Sequence, residues 1–297
     1  MKKNFLFLFV LTIVTLACGL PQAATPTRPA AVPTNTITPP SETPVQNPEA
    51  AITATEPAPT FEGKAESYGP LSLVLPAGLA SGISGNQFPR VEGEGIAPWE
   101  VTPGHTQIDL NGYPLQGKFH QPRIYIYPAQ DYAEMFPAAF ESIRRLDNIL
   151  YSSDAPKLDE PLPSVPFFNA GQIFTSNVQA IPFQNGGGVR FLTEYAQYTA
   201  PVNNHELIYL FQGVTRDGVY YVIAILPVTA PELAETSDPG APLPANGVVF
   251  PDISDPNANY EAYYAAVSNL LNTENPDGFT PPIGQLDLLI QSLQIAP

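Results

Sequence analysis

The chain of 297 residues has a single cysteine, Cys18, so no disulfide within it can brace the fold, which must rest on a packed core. Positive charge is also scarce. Twelve Lys and Arg stand against 28 Asp and Glu, a formal net charge of −16. No basic stripe offsets this, which argues against nucleic acid as a partner and against electrostatic binding to anionic lipid. Acidity of this kind serves solubility. Histidine is limited to His105, His120 and His205. Beyond the first twenty residues no stretch is long and apolar enough to span a bilayer, because Pro and charged residues interrupt every one.

What is present begins at the N-terminus. Lys2 and Lys3 precede an apolar run over 5–17, in which Thr12 and Thr15 are the only polar residues. As a helix this run would cover roughly 20 Å, short of the roughly 30 Å of a bilayer core. The pattern predicts a signal peptide over residues 1–17. Leu16-Ala17-Cys18-Gly19 then resembles the lipobox of bacterial lipoproteins, with Thr15 at the position where that family usually has Leu. The resemblance implies that cleavage leaves Cys18 as an acylated N-terminus, on the extracytoplasmic face of a cell membrane or envelope. The other reading is an ordinary signal peptide cut near Gly19 or Ala23. Without Lys2 and Lys3 the basic residues fall to 10 against 28, a net charge of −18.

Residues 18–60 form the next region. Of the 42 residues from 19 to 60, ten are Pro and nine Thr, with little to bury. Such a segment cannot offset its ordering entropy, so a disordered, extended stalk is expected there. From 61 to 297 the apolar and aromatic content rises, and the length suits one domain.

Within that domain, 178–183, 188–198, 207–215 and 219–228 read as strands joined by turns at 184–187 and 216–218, hence as antiparallel neighbours. The last two are apolar at both parities, which predicts cover on both faces. Shorter strands are expected at 71–75, 107–110 and 123–127. Three helices are expected: over 137–150 with Phe136, Phe140, Ile143, Leu146 and Leu150 inward; from about 260 to 271, capped by Asn257 or Asn259; and one opening with Thr280 as cap and Pro281 as first helical residue. The sum is an α+β domain, an antiparallel β-sheet meander with helices packed on it. The meander, the terminal helix and the closing Gln291-Ser292-Leu293-Gln294-Ile295 resemble the PsbP-like fold of an extrinsic photosystem subunit and its bacterial relatives. A likeness of fold transfers no function.

Several stretches approach a motif and miss it. Gly112-Tyr113-Pro114-Leu115-Gln116-Gly117-Lys118 follows a P-loop until Phe119, where Ser or Thr should hold Mg²⁺, and reads better as a turn. His205-Glu206 begins like a zinc-protease helix, but Tyr209 stands where the second His belongs. Asp255-Pro256-Asn257-Ala258-Asn259 imitates half an EF-hand and lacks its Gly and Glu, leaving Asp252, Asp255 and Glu261 as candidates for an irregular Ca²⁺ site. Gly186-Gly187-Gly188 suits a hairpin turn better than an anion nest. Ser81-Gly82-Ile83-Ser84-Gly85 is no nucleophile elbow.

No nucleophile–base signature remains, so the sequence leans away from an enzyme and implies no cofactor. Aromatics near element ends, Tyr195, Tyr198, Tyr260 and Tyr264, are the candidates for ligand contact, since exposed rings stack on sugars or grip proteins. A Pro-rich excursion over 229–259, with a short helix at 231–235, is the second feature. The expected function is a stalked, non-catalytic binding or envelope-assembly domain, with a glycan or envelope protein as partner. The alternative is an envelope hydrolase whose carboxylate or metal site is built from distant residues.

Overall fold

The structure is a computed structural model and describes residues 60–238 and 240–296. The signal peptide, Cys18 and the stalk lie outside the described residues. In chain order come strands β1 (Lys64–Tyr68), β2 (Leu71–Leu75), β3 (Gly82–Phe88), β4 (His105–Asn111) and β5 (Arg123–Pro128), then helices α1 (Ala129–Met135) and α2 (Pro137–Tyr151). Strands β6 (Gly171–Gln172), β7 (Ser176–Phe183), β8 (Gly186–Thr193), β9 (Tyr195–Ala196), β10 (Ile208–Thr215) and β11 (Tyr220–Pro227) follow. The chain ends with α3 (Tyr260–Thr273), α4 (Ile283–Gln291) and β12 (Gln294–Ile295).

The main sheet has seven antiparallel strands in the order β3-β4-β5-β11-β10-β8-β7. Two meanders, β3-β4-β5 and β7-β8-β10-β11, meet where β5 pairs with β11. This is the α+β architecture that the strand and helix patterns predict. The double parity of β10 and β11 decides the layering. Tyr209, Phe211, Val222 and Ala224 point into one core, under α3, α4 and the small sheet β1-β2-β12. Leu210, Val214, Tyr221 and Ile223 point into the other, under α1 and α2. Each of the larger apolar side chains contributes about 1.5–3 kcal/mol through its removal from water.

Four expectations shift in detail. In α2 the buried stripe is Ala139, Ser142, Leu146 and Ile149, while Phe140 is 54% exposed. One residue is about 100° of helix, so Phe140 is carried past the edge of the stripe. Helix α4 opens at Ile283 with Pro282 as its cap, and Thr280 and Pro281 precede it. Pro282 disfavours α geometry at Pro281. Thr280 is instead paired through its backbone with Thr229, at 2.9 and 3.0 Å. The glycines at 186–188 belong to β8 rather than to the turn, which is only Gln184-Asn185. A Cβ on Gly186 would run into Phe183 and the Val214 carbonyl, and one on Gly188 into Phe211 and the Gln212 carbonyl. Gly186 and Gly188 leave room for those rings and carbonyls rather than cradle an anion, while Gly187 has room beside it. Finally, no helix forms at 231–235. Asn204 takes that segment's carbonyls instead, its Nδ2 donating to Ala230 and Leu233 at 3.0 and 3.2 Å. No helix among the described residues is long and apolar enough to cross a membrane.

Candidate ligand-binding site

A concavity of about 640 Å³ opens beside the start of β10 on the α2 side of the sheet. Its walls come from five separate parts of the chain: Trp99, the pair Phe119-His120, residues 167–170, residues 195–198 and Glu206. Other hollows are smaller, the next of about 470 Å³ beside β1 and β2. One, of about 340 Å³, lies near His105 and Tyr220, and one, of about 360 Å³, under the 229–259 excursion.

Each wall is fastened from behind. Trp99 sits on a short 3₁₀ turn, Pro98–Glu100, with Pro at its first position, where a missing N–H costs nothing. The loop after β4 turns through Gly112 and Gly117, both with φ near +70° (+69° and +68°), a conformation that favours glycine. Tyr113 roots this loop by donating from its hydroxyl to the Pro227 carbonyl at 2.7 Å. The Phe119 N–H then donates to the His205 carbonyl at 2.9 Å, which sets Phe119 and His120 at the mouth. The next wall is anchored at 162–165. Arg145 donates to Leu162, Gln212 to Pro163, Ser142 to Ser164, and the Val165 N–H to the Tyr195 hydroxyl. Gln197 Nε2 donates to Asn169 at 2.8 Å and closes this wall against the residues after β9.

The rings behind the opening form a continuous stack. His120 lies flat on Phe168 at 5.1 Å, Phe119 meets His120 edge-on at 4.9 Å, and Phe168 meets Phe167 and Tyr195 edge-on. Burial pushes His120 down to about 4, with nearby His205 adding to the effect, so the imidazole is neutral at ordinary pH. Water still reaches Phe119 at the end of this stack and two further rings, Trp99 and Tyr198. Trp99 is 39% exposed, Phe119 63% and Tyr198 71%. Among the described residues neither Trp99 nor Tyr198 stacks on another ring. The polar groups of the lining are Asn169, Gln197, His120, the Tyr hydroxyls and the Glu206 carboxylate.

The structure brings two of the four singled-out tyrosines, Tyr195 and Tyr198, into this site. The other two belong elsewhere. The Tyr264 hydroxyl donates to the Ala200 carbonyl at 2.9 Å and accepts from its N–H at 3.2 Å, tying α3 to the 200–202 segment. Tyr260 packs on Phe250 at 5.6 Å. Asp252 and Asp255 each close a local turn, accepting from Ser254 and Asn257, and Glu261 lies exposed in the first turn of α3. Among the described residues no three His, Cys, Asp or Glu side chains gather as a metal site.

Sequence reasoning missed Trp99, Phe119, His120, Phe167, Phe168 and Glu206. One signal was available: Phe119-His120 and Phe167-Phe168 are adjacent aromatic pairs within loops, where large rings need a reason.

Two further carboxyl features bear on chemistry. Burial, first, and the neighbouring Glu274 carboxyl raise the pKa of Glu232, one oxygen of which is buried without a partner. Glu194 is fully buried. One of its oxygens accepts from the Asn203 N–H at 2.7 Å and the other has no partner, and burial raises its pKa well above the ordinary value. Comparison of the chain with protein-family models, with curated proteins and with solved structures returned no match in any of the three.

Proposed function

We propose that the chain is a membrane-anchored, extracytoplasmic lipoprotein whose domain binds a ligand, without catalysis, in the aromatic concavity. One observation carries the binding half: Trp99, Phe119 and Tyr198 stand exposed around one preformed hollow of about 640 Å³, backed by rings packed on each other. Isolated exposed rings are ordinary, but a cluster lining a cleft of this size is the usual form of a small-molecule site. The lining holds no Ser, Thr, Cys or Lys, which favours binding over covalent catalysis by those nucleophiles. The anchoring half rests on Lys2 and Lys3, the apolar run over 5–17 and Leu16-Ala17-Cys18-Gly19.

Trp99 is the only tryptophan of the chain, so its fluorescence reports on this hollow alone. Titration of the full-length chain with neutral sugars, amines and organic acids should shift Trp99 emission for at least one class. Tyr198→Ala should weaken that response and leave stability within about 0.5 kcal/mol, as for most surface changes. Flat emission across all three classes refutes the binding reading. Mass spectrometry of the mature N-terminus should find acylated Cys18, and a chain beginning after Gly19 or Ala23 refutes the lipid anchor.

A further inference from the structure

We infer that the aromatic hollow takes a small, free organic ammonium ligand, its cationic group held by the rings of Trp99, Phe119 and Tyr198 and by the Glu206 carboxylate. The inference rests on the binding reading above and names the ligand's chemistry.

The sign of the site carries it. Aromatic faces present the negative end of a quadrupole, and Trp presents the strongest. Glu206 is the only acidic side chain in the lining, and no Lys or Arg joins it. Lys118, next to Phe119 in sequence, is turned to Glu235 at 3.7 Å. His120 adds no positive charge, being neutral at ordinary pH. Asn169 and Gln197 are neutral amides. Ring faces and a carboxylate without a competing cation thus meet in one hollow, inside a chain of net charge −16 that draws cations and turns anions away.

The same field selects among ammonium compounds. A phosphate beside the nitrogen, as in a phospholipid headgroup, would meet an acidic protein with no basic residue in the lining to receive it. An ammonium compound without phosphate avoids that repulsion. A neutral sugar could stack on the same rings and donate a hydroxyl to Glu206, but would draw nothing from the negative field around the hollow.

The test again uses Trp99 emission, with the full-length chain in a detergent of neutral headgroup. Choline is compared with its neutral isostere, in which carbon replaces nitrogen, with phosphocholine, with neutral disaccharides and with phosphatidylcholine vesicles. Choline should bind about tenfold or more tightly than the isostere, the scale of a desolvated cation–π contact. Phosphocholine should bind more weakly than choline. Glu206→Gln should remove much of the preference for choline over the isostere and leave the melting temperature as it was. Equal binding of choline and isostere, or a preference for disaccharides, overturns the ammonium assignment and leaves the hollow as a binding site. A response to vesicles without one to choline overturns the free-ligand assignment. Silence toward every compound refutes both this inference and the binding reading on which it stands.

Discussion

Glu194 shows what a single side chain does when it is denied water. Both its neighbours in the chain, Thr193 and Tyr195, are buried, and one of its oxygens finds no donor. Its folded-state pKa therefore lies above the ordinary value of about 4.5, burial being the first cause. The sign of the linkage follows. Above about pH 4.5 the unfolded chain has released a proton that the folded chain keeps, so this group's contribution to stability falls as pH rises. Glu194→Gln keeps an acceptor for the Asn203 N–H and removes the titration. Thermal unfolding should show the variant gaining on the parent between about pH 4 and pH 7, by at most about 1.4 kcal/mol per unit. A stability difference that stays constant over that range would show that Glu194 is charged when buried. At this scale the site was only partly legible. Tyr195 and Tyr198 stood out as aromatics at a strand end, but their partners Trp99, Phe119 and Phe168 come from loops whose convergence no local pattern encodes.

Elements were more legible than the contacts that lock them. The apolar spacing of 283–290 announces α4, and Ile283, Leu286, Leu289 and Ile290 are indeed its buried face. Nothing in the spacing announces Asp287, which shares the same helix and reaches into the sheet. Its carboxylate takes two hydrogen bonds from Arg190 on β8, at 3.1 and 3.2 Å, and one from the Tyr209 hydroxyl on β10 at 2.8 Å. Arg190 also donates to Gln179 at 2.7 Å and to the Asn177 carbonyl, so its guanidinium joins β7, β8 and α4. Breaking one side of such a buried pair leaves a charge with no partner. Asp287→Asn should cost about 3–5 kcal/mol in denaturant unfolding. Replacing both residues by apolar ones, Arg190→Met with Asp287→Leu, should restore a large part of that loss, since no uncompensated charge remains. Additive losses in the double variant would mean that the two side chains act independently.

The whole domain is organised by how deeply each strand of the one large sheet is buried, and this was the most legible level where burial is two-sided. All eight residues of β10 and seven of the eight in β11 are buried, which the apolar run of β11 and that of 208–211 in β10 foretell, although β10 also buries Gln212 and Thr215. At the far edge β3, with the sequence Gly-Ile-Ser-Gly-Asn-Gln-Phe, has no buried residue, and so lacks the hydrophobic alternation that would have marked it as a strand. It forms because β4 supplies a full ladder of partners from Gly82 to Phe88, and because Gly85 leaves room for the Tyr68 ring. Local opening should follow the same gradient, since backbone bonds covered on both faces break only when the cores on either side are lost together. Hydrogen exchange followed by mass spectrometry should therefore find β8, β10 and β11 slowest, β4 and β5 intermediate, and β3 with the small sheet β1-β2 fastest. Exchange in β3 as slow as in β10 would mean that its outer edge is covered in solution by something the isolated domain does not supply, and a second copy or a partner strand would then have to be sought there.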